Sequence, residues 1–199
     1  MSPDKGNNFM VHINAGAGEI GVKIVYCSVI PGGGRQTLDS LKEALPEGHT
    51  GDVVSIATES GRTLFFDFLT VFLGTVGNYK VNLKLYAAPE ASYYEAPRRL
   101  VVDGADGIIF IADSFVSKQE QNKQMLEFLI EYVSKESDTI PLVFQYNYMG
   151  KESPESRITP EELDQTLNSS NQPSFSINES KTVLEPLKEV VKLVFAKMS

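Results

Sequence analysis

The residues with the clearest chemical potential lie in one short segment, Ser28-Val29-Ile30-Pro31-Gly32-Gly33-Gly34-Arg35-Gln36-Thr37. Its successive glycines let backbone N–H groups converge on an anion at positions where a Cβ would clash. A phosphate cradle of this kind follows the pattern G-x-x-x-x-G-K-[ST], whose lysine reaches the outer phosphates and whose hydroxyl residue holds Mg²⁺. Here the glycines are present and the lysine is not. Ungapped, the lysine position falls on Gly34 and the hydroxyl position on Arg35. Shifted by one residue, Gly34 becomes the final glycine, Arg35 replaces the lysine, Gln36 takes the hydroxyl position and Thr37 follows. The shifted form is chemically better, since an arginine fork can hold phosphate. The plain alternative is a tight Pro-Gly turn without a ligand. Gly32, Gly33, Gly34, Arg35, Gln36 and Thr37 are the candidate phosphate-binding residues.

Such a cradle must be held between a strand and a helix. Lys23-Ile24-Val25-Tyr26-Cys27 reads as the strand and residues 38–45 as the helix. Further strands are expected at 53–58, 63–69, 107–112, 140–146 and 174–177. Residues 80–86 alternate polar and apolar strictly, which predicts a half-exposed strand. Helices fall between them. Residues 119–134 put Leu126, Leu129, Ile130 and Val133 on one apolar face, and residues 183–198 do the same with Leu184, Leu187, Val191, Val194 and Met198. Thr159 followed by Pro160 predicts an N-cap with proline at the first helical position. Strands alternating with helices predict an α/β fold, a mostly parallel central sheet with helices on both faces. Ligands in such a sheet bind at the carboxyl ends of the strands, so the loops after Cys27, Thr58, Tyr86, Ala112 and Tyr146 matter most.

A chain of 199 residues with 42% hydrophobic and 22% charged residues can bury a sizeable core. We expect a single domain over 20–199, preceded by a flexible tail or edge segment at 1–19. The net charge of −8 argues against nucleic acid and anionic lipid as partners. The tight basic pair Arg98-Arg99 reads as a solvated helix turn. No apolar run is long enough to predict a membrane span, and no secretory signal is expected. The single cysteine, Cys27, excludes an internal disulfide and reads as a buried core residue of a cytoplasmic protein. His12 and His49 fall in expected loops, and no cluster has metal-ligand spacing.

Longer motifs carry a resemblance. Pro46-Glu47-Gly48, Gly51, Val54-Ser55 with Ala57-Thr58-Glu59, and Arg62-Thr63-Leu64-Phe65-Phe66-Asp67-Phe68-Leu69 form one run. Leu85-Tyr86 with Pro89, Val102, Gly104, Asp106-Gly107-Ile108, Ala112-Asp113-Ser114 and Leu187-Lys188-Glu189-Val190 follow in order. With Lys23–Tyr26, these resemble the bacterial MglA family of Ras-like small GTPases, polarity switches of gliding motility. The resemblance implies a Ras-like P-loop GTPase fold. It also implies that Thr63 approaches Mg²⁺, that Arg62 is an arginine finger supplied in cis, and that Asn147 belongs to the guanine-contacting loop. The family's partner, a Roadblock-type (MglB-like) dimer, grips the switch face, which makes Leu64, Phe65, Phe66 and Phe68 candidate contact residues.

Against that pattern several chemical parts are replaced. Glu90 and Ala91 stand where the family has glycine and the glutamine that orients water, and Glu90 would repel a γ-phosphate. Asn147-Tyr148-Met149-Gly150 stands where N-K-x-D would select guanine. A charge-assisted hydrogen bond contributes roughly 1.5–3 kcal/mol, so losing the lysine, the Mg²⁺ hydroxyl and the guanine aspartate removes about 4.5–9 kcal/mol. That is a fall in affinity of roughly 10³–10⁶. The expectation is a pseudo-GTPase of the motility and polarity class with weak or absent GTP binding, acting through protein contacts and carrying no cofactor. The alternative is a divergent GTPase that binds GTP or GDP with Mg²⁺ and uses Arg35, Thr37 and Arg62.

Overall fold

In a computed structural model, residues 12–14, 16–56, 66–90, 95–135, 140–149 and 156–197 are described. The strands are β1 His12–Asn14, β2 Glu19–Ser28, β3 Val54–Ile56, β4 Phe66–Val76, β5 Tyr79–Ala87, β6 Gly107–Asp113, β7 Leu142–Asn147 and β8 Ser174–Ile177. The helices are α1 Gly33–Ala44, α2 Glu95–Val102, α3 Gln119–Lys135, α4 Pro160–Leu167 and α5 Leu184–Lys197. The strands form one sheet in the order β3-β4-β5-β2-β6-β7-β8, with β1 paired to the start of β2. From β5 to β8 all neighbours are parallel, while β3, β4 and β5 are joined antiparallel. This is the mostly parallel α/β sheet expected from the sequence.

The central strands are apolar throughout because both faces are covered. All seven residues of β6 are buried. Alternation along β2 sends Ile24 and Tyr26 into the layer under α1 and α5, and Val25 and Cys27 into the layer under α2, α3 and α4. Strand β5 alternates as predicted, with Val81, Leu83, Leu85 and Ala87 buried.

Four local features differ from the sequence reading. Helix α1 begins at Gly33, five residues before the predicted start, because the cradle glycines pack as its first turn. Strand β4 runs on to Val76 and absorbs a bulge at Gly74. His12 lies in a strand, where it pairs with Gly21. Ile130 is 51% exposed and lines an apolar cavity of about 490 Å³ between α3, the start of β7 and α5, at the end of the sheet away from the ligand loops. Thr159 caps α4 as predicted. Its hydroxyl accepts from the Glu162 N–H at 3.3 Å, and the Glu162 carboxylate accepts from the Thr159 N–H at 3.0 Å.

Candidate functional site

The carboxyl ends of β2, β5, β6 and β7 bring together Ser28, Ala87, Asp113 and Asn147. The glycine-rich junction follows β2. Ser28 Oγ accepts from the Ile30 N–H at 3.0 Å and turns the chain. Gly32 then has φ of 71°, a left-handed value that suits glycine, and starts α1 without a side-chain cap. The Gly33 N–H donates to Ile30 O at 2.8 Å and the Gln36 N–H to Gly32 O at 2.8 Å. Gly34 faces β5 so closely that a Cβ there would lie 2.8 Å from Ala87 Cβ. At the ungapped lysine position there is thus no space for a side chain.

Arg35 leads elsewhere. Its Nε donates to Asp39 at 2.9 Å, and Nη1 donates to Ser55 Oγ at 2.9 Å and to Asp67 at 3.1 Å. These bonds raise its pKa, the Asp39 hydrogen bond contributing most. The arginine therefore ties α1 to β3 and β4. Gln36 is exposed. Thr37 is buried one turn into the helix; its hydroxyl donates to Gly33 O at 2.9 Å and accepts from Gln145 Nε2 at 3.4 Å.

Glu90, after β5, comes to the cradle. Its carboxylate lies near the backbone amides of Gly32 and Gly34: a Cβ on Gly34 would stand 4.0 Å from Glu90 Oε1. Burial raises its pKa and Asp67 adds to the rise, while the two amides and Arg98 oppose it. The loop carrying it is pinned. The Ala88 N–H donates to Tyr26 O at 2.9 Å. Arg98 Nε donates to Pro89 O at 2.9 Å and its Nη2 to Glu90 O at 3.0 Å. Arg98 is 5% exposed and its guanidinium lies 5.3 Å over the Phe128 ring, so the solvated turn expected for the Arg98-Arg99 pair is corrected. Arg99, by contrast, pairs with Glu95 at 2.8 Å on the surface.

Asn147 behaves as a turn residue: its Oδ1 accepts from the Met149 N–H at 3.4 Å. Beside it, Arg157 spans 4.4 Å to Phe115 and 5.8 Å to Tyr148, and donates to Ser114 Oγ at 3.0 Å. The Tyr148 hydroxyl donates to Ile158 O at 2.6 Å. Sequence reading missed Arg98 and this arginine–aromatic cluster, because neither follows a motif.

On the switch side, Arg62, Thr63, Leu64 and Phe65 lie outside the described residues, as do Ala91 and Gly150. Phe66 and Phe68 are half-buried and pack on Tyr86 with ring centroids 5.4 and 4.9 Å apart. Leu69 is fully buried. The exposed apolar surface here is on edge strand β3, at Val54 and Ile56. Among the described residues, no three His, Cys, Asp or Glu side chains group so as to hold a metal ion, and no helix is long and apolar enough to cross a membrane.

No family model matches the sequence. The mutual gliding-motility protein MglA of Myxococcus xanthus is 34% identical over 194 residues, which cover 95% of this chain and 98% of that protein. Among solved structures, the Arl6 (BBS3) small GTPase from Trypanosoma brucei with the bound nucleotide analogue GppNp matches 88% of this chain and 98% of its own. Its TM-score is 0.59 at 16% identity, a likeness of fold.

Proposed function

The chain belongs to the MglA family of Ras-like small GTPases, and from that premise we propose that it keeps the family's switch surface without its nucleotide chemistry. It is a pseudo-GTPase of the cytoplasm, binding GTP weakly or not at all and regulating polarity or motility through protein contacts. The observation that carries this reading is Gly34: the lysine position is closed by Ala87 at a 2.8 Å Cβ approach. A lysine that grips the outer phosphates cannot be built there without moving β5 or α1. Arg35, the substitute offered by a shifted register, is engaged with Asp39, Ser55 and Asp67. Thr37 is buried, and its hydroxyl oxygen accepts from Gln145 Nε2 at 3.4 Å. The occupied lysine position, the engaged Arg35 and the buried Thr37 support a cradle that does not hold GTP or GDP with Mg²⁺.

The partner we propose is a Roadblock-type dimer at the switch face. The exposed Val54 and Ile56 on edge strand β3, next to the switch segment, support a protein contact there.

Isothermal titration of the full chain with GTP and GDP, each raised to millimolar concentration with Mg²⁺, tests the nucleotide half of the reading. We expect dissociation constants in the micromolar range or weaker, following the roughly 10³-fold or greater loss from three missing contacts. Nanomolar binding of either nucleotide would contradict it.

A further inference from the structure

We propose that the apolar cavity at the amino end of the sheet binds a single aliphatic chain with an uncharged hydroxyl end, a medium-chain alcohol or a lipid of that chemistry. The site lies at the opposite end of the strands from the nucleotide loops, and it stands whether or not those loops hold a nucleotide.

The cavity follows from where the strands stop. Strand β8 joins β7 only from Ser174, opposite Phe144, so among the described residues Leu142 and Val143 have no strand beside them on that side. Leu126 of α3 belongs to one side-chain layer, and Leu187 and Val190 of α5 belong to the other. Here the two layers do not meet, and about 490 Å³ is left open between them. Protein interiors are otherwise close-packed. The volume lies within the roughly 300–1,000 Å³ of small-molecule sites.

The walls call for an apolar body. Leu126, Phe144 and Leu167 are buried lining residues, and Val133 and Leu193 line the cavity half-buried. Ile130 is the most telling. It holds a place in the apolar pattern of α3 with Leu126, Leu129 and Val133, yet it stays 51% exposed against the opening. An aliphatic ligand removes that surface from water, which the protein's own core does not do.

The rim decides the head group. Three helices end on it: Ser134 near the end of α3, Leu167 at the end of α4 and Lys197 at the end of α5 all line the cavity. The last carbonyls of a helix have no partner within it and carry the negative end of its dipole. They oppose a carboxylate and accept from a hydroxyl. The ammonium of Lys197 opposes a cation. The loop after α4 is already closed on itself: Asn168 Nδ2 donates to Gln172 O at 2.7 Å, and the Gln172 N–H donates to Asn168 Oδ1 at 2.8 Å. The rim is therefore preformed, and a neutral donor suits it better than either charge.

The test uses the full chain with butan-1-ol, hexan-1-ol and octan-1-ol as probes, and with octanoate and octylammonium as charged counterparts. Calorimetry reads the affinity, and methyl ¹H–¹³C spectra read the place. We expect binding to tighten by about tenfold for each added pair of methylenes. The methyl resonances of Ile130, Val133 and Leu193 should move, and both charged counterparts should bind at least about tenfold more weakly than octan-1-ol. Ile130→Glu should weaken octan-1-ol by at least about tenfold; Ile130→Ser is the milder variant if thermal melts show the first to be unfolded. Affinity independent of chain length, resonances moving elsewhere, or octanoate or octylammonium binding as tightly as the alcohol would overturn the site. So would a dimer in sedimentation that Ile130→Glu dissociates, since a second copy would then cover the cavity.

Discussion

Arg98 brings a charge into the interior, where it is 5% exposed, and directs it at two backbone carbonyls of one loop. Burial lowers its pKa, with the thiol of Cys27 and the carboxylates of Glu95 and Glu90 opposing. Buried cations are retained only where hydrogen bonds replace water. Removing the guanidinium leaves the Pro89 and Glu90 carbonyls without their donor and strips packing from Phe128. Arg98→Met should therefore lower stability by about 2–4 kcal/mol, which for a chain of this size is roughly 5–15 °C in melting midpoint. Differential scanning calorimetry measures this directly, and an unchanged midpoint would show that the arginine holds nothing. None of this was legible in the sequence, where an Arg-Arg pair on a helix reads as solvated surface. Glu90 was legible only in part: its charge announced repulsion of a phosphate, while its place beside Gly34 depends on how α1 and β5 approach. Cys27 was read well, since a cysteine inside an apolar strand run has little choice but the core. Burial pushes its thiol pKa up to about 12, Arg98 pulling weakly the other way.

At the scale of elements, runs and alternations proved the dependable signals. Residues 107–112 were apolar without interruption and became the wholly buried β6; residues 80–86 alternated and became the half-exposed β5. The α4 start was written in Thr159, Pro160 and Glu162, because a capping box is a local device that needs no tertiary partner. Its contribution can be measured in isolation. Thr159→Ala should destabilise the protein by about 1 kcal/mol in urea unfolding, with the slope of the transition unchanged. A shift indistinguishable from zero would mean that packing of Leu163 and Leu167 alone sets that helix. The start of α1 was not legible. Glycine is a poor helix former, so a glycine-rich segment reads as loop. Here the close approach to Ala87 leaves room only for glycine, and Gly33 and Gly34 open the helix. The extension of β4 past Leu69 was likewise hidden, since Gly74 interrupts the pattern where the bulge sits.

Across the whole molecule, the parallel strands from β5 to β8 aim their carboxyl ends at one edge, and every loop flagged by the sequence arrives there or lies outside the described residues. The sheet order and both covering layers belong to the fold of small GTPases, which the likeness to the Arl6 structure shares over 88% of the chain. The architecture built to present a nucleotide is therefore present. At its phosphate end Glu90 lies beside Gly34, Ala87 stands against the lysine position, and Arg35 joins α1 to the β3–β4 edge. Beyond Asn147, Arg157 lies across Phe115 and Tyr148. A protein of this kind should leave the cell without nucleotide, whereas a working small GTPase holds one tightly enough to survive purification. The most direct measurement is native mass spectrometry of the protein purified at low micromolar concentration with Mg²⁺ present throughout. The expected spectrum shows the mass of the bare chain alone. A stoichiometric GDP or GTP adduct would contradict it.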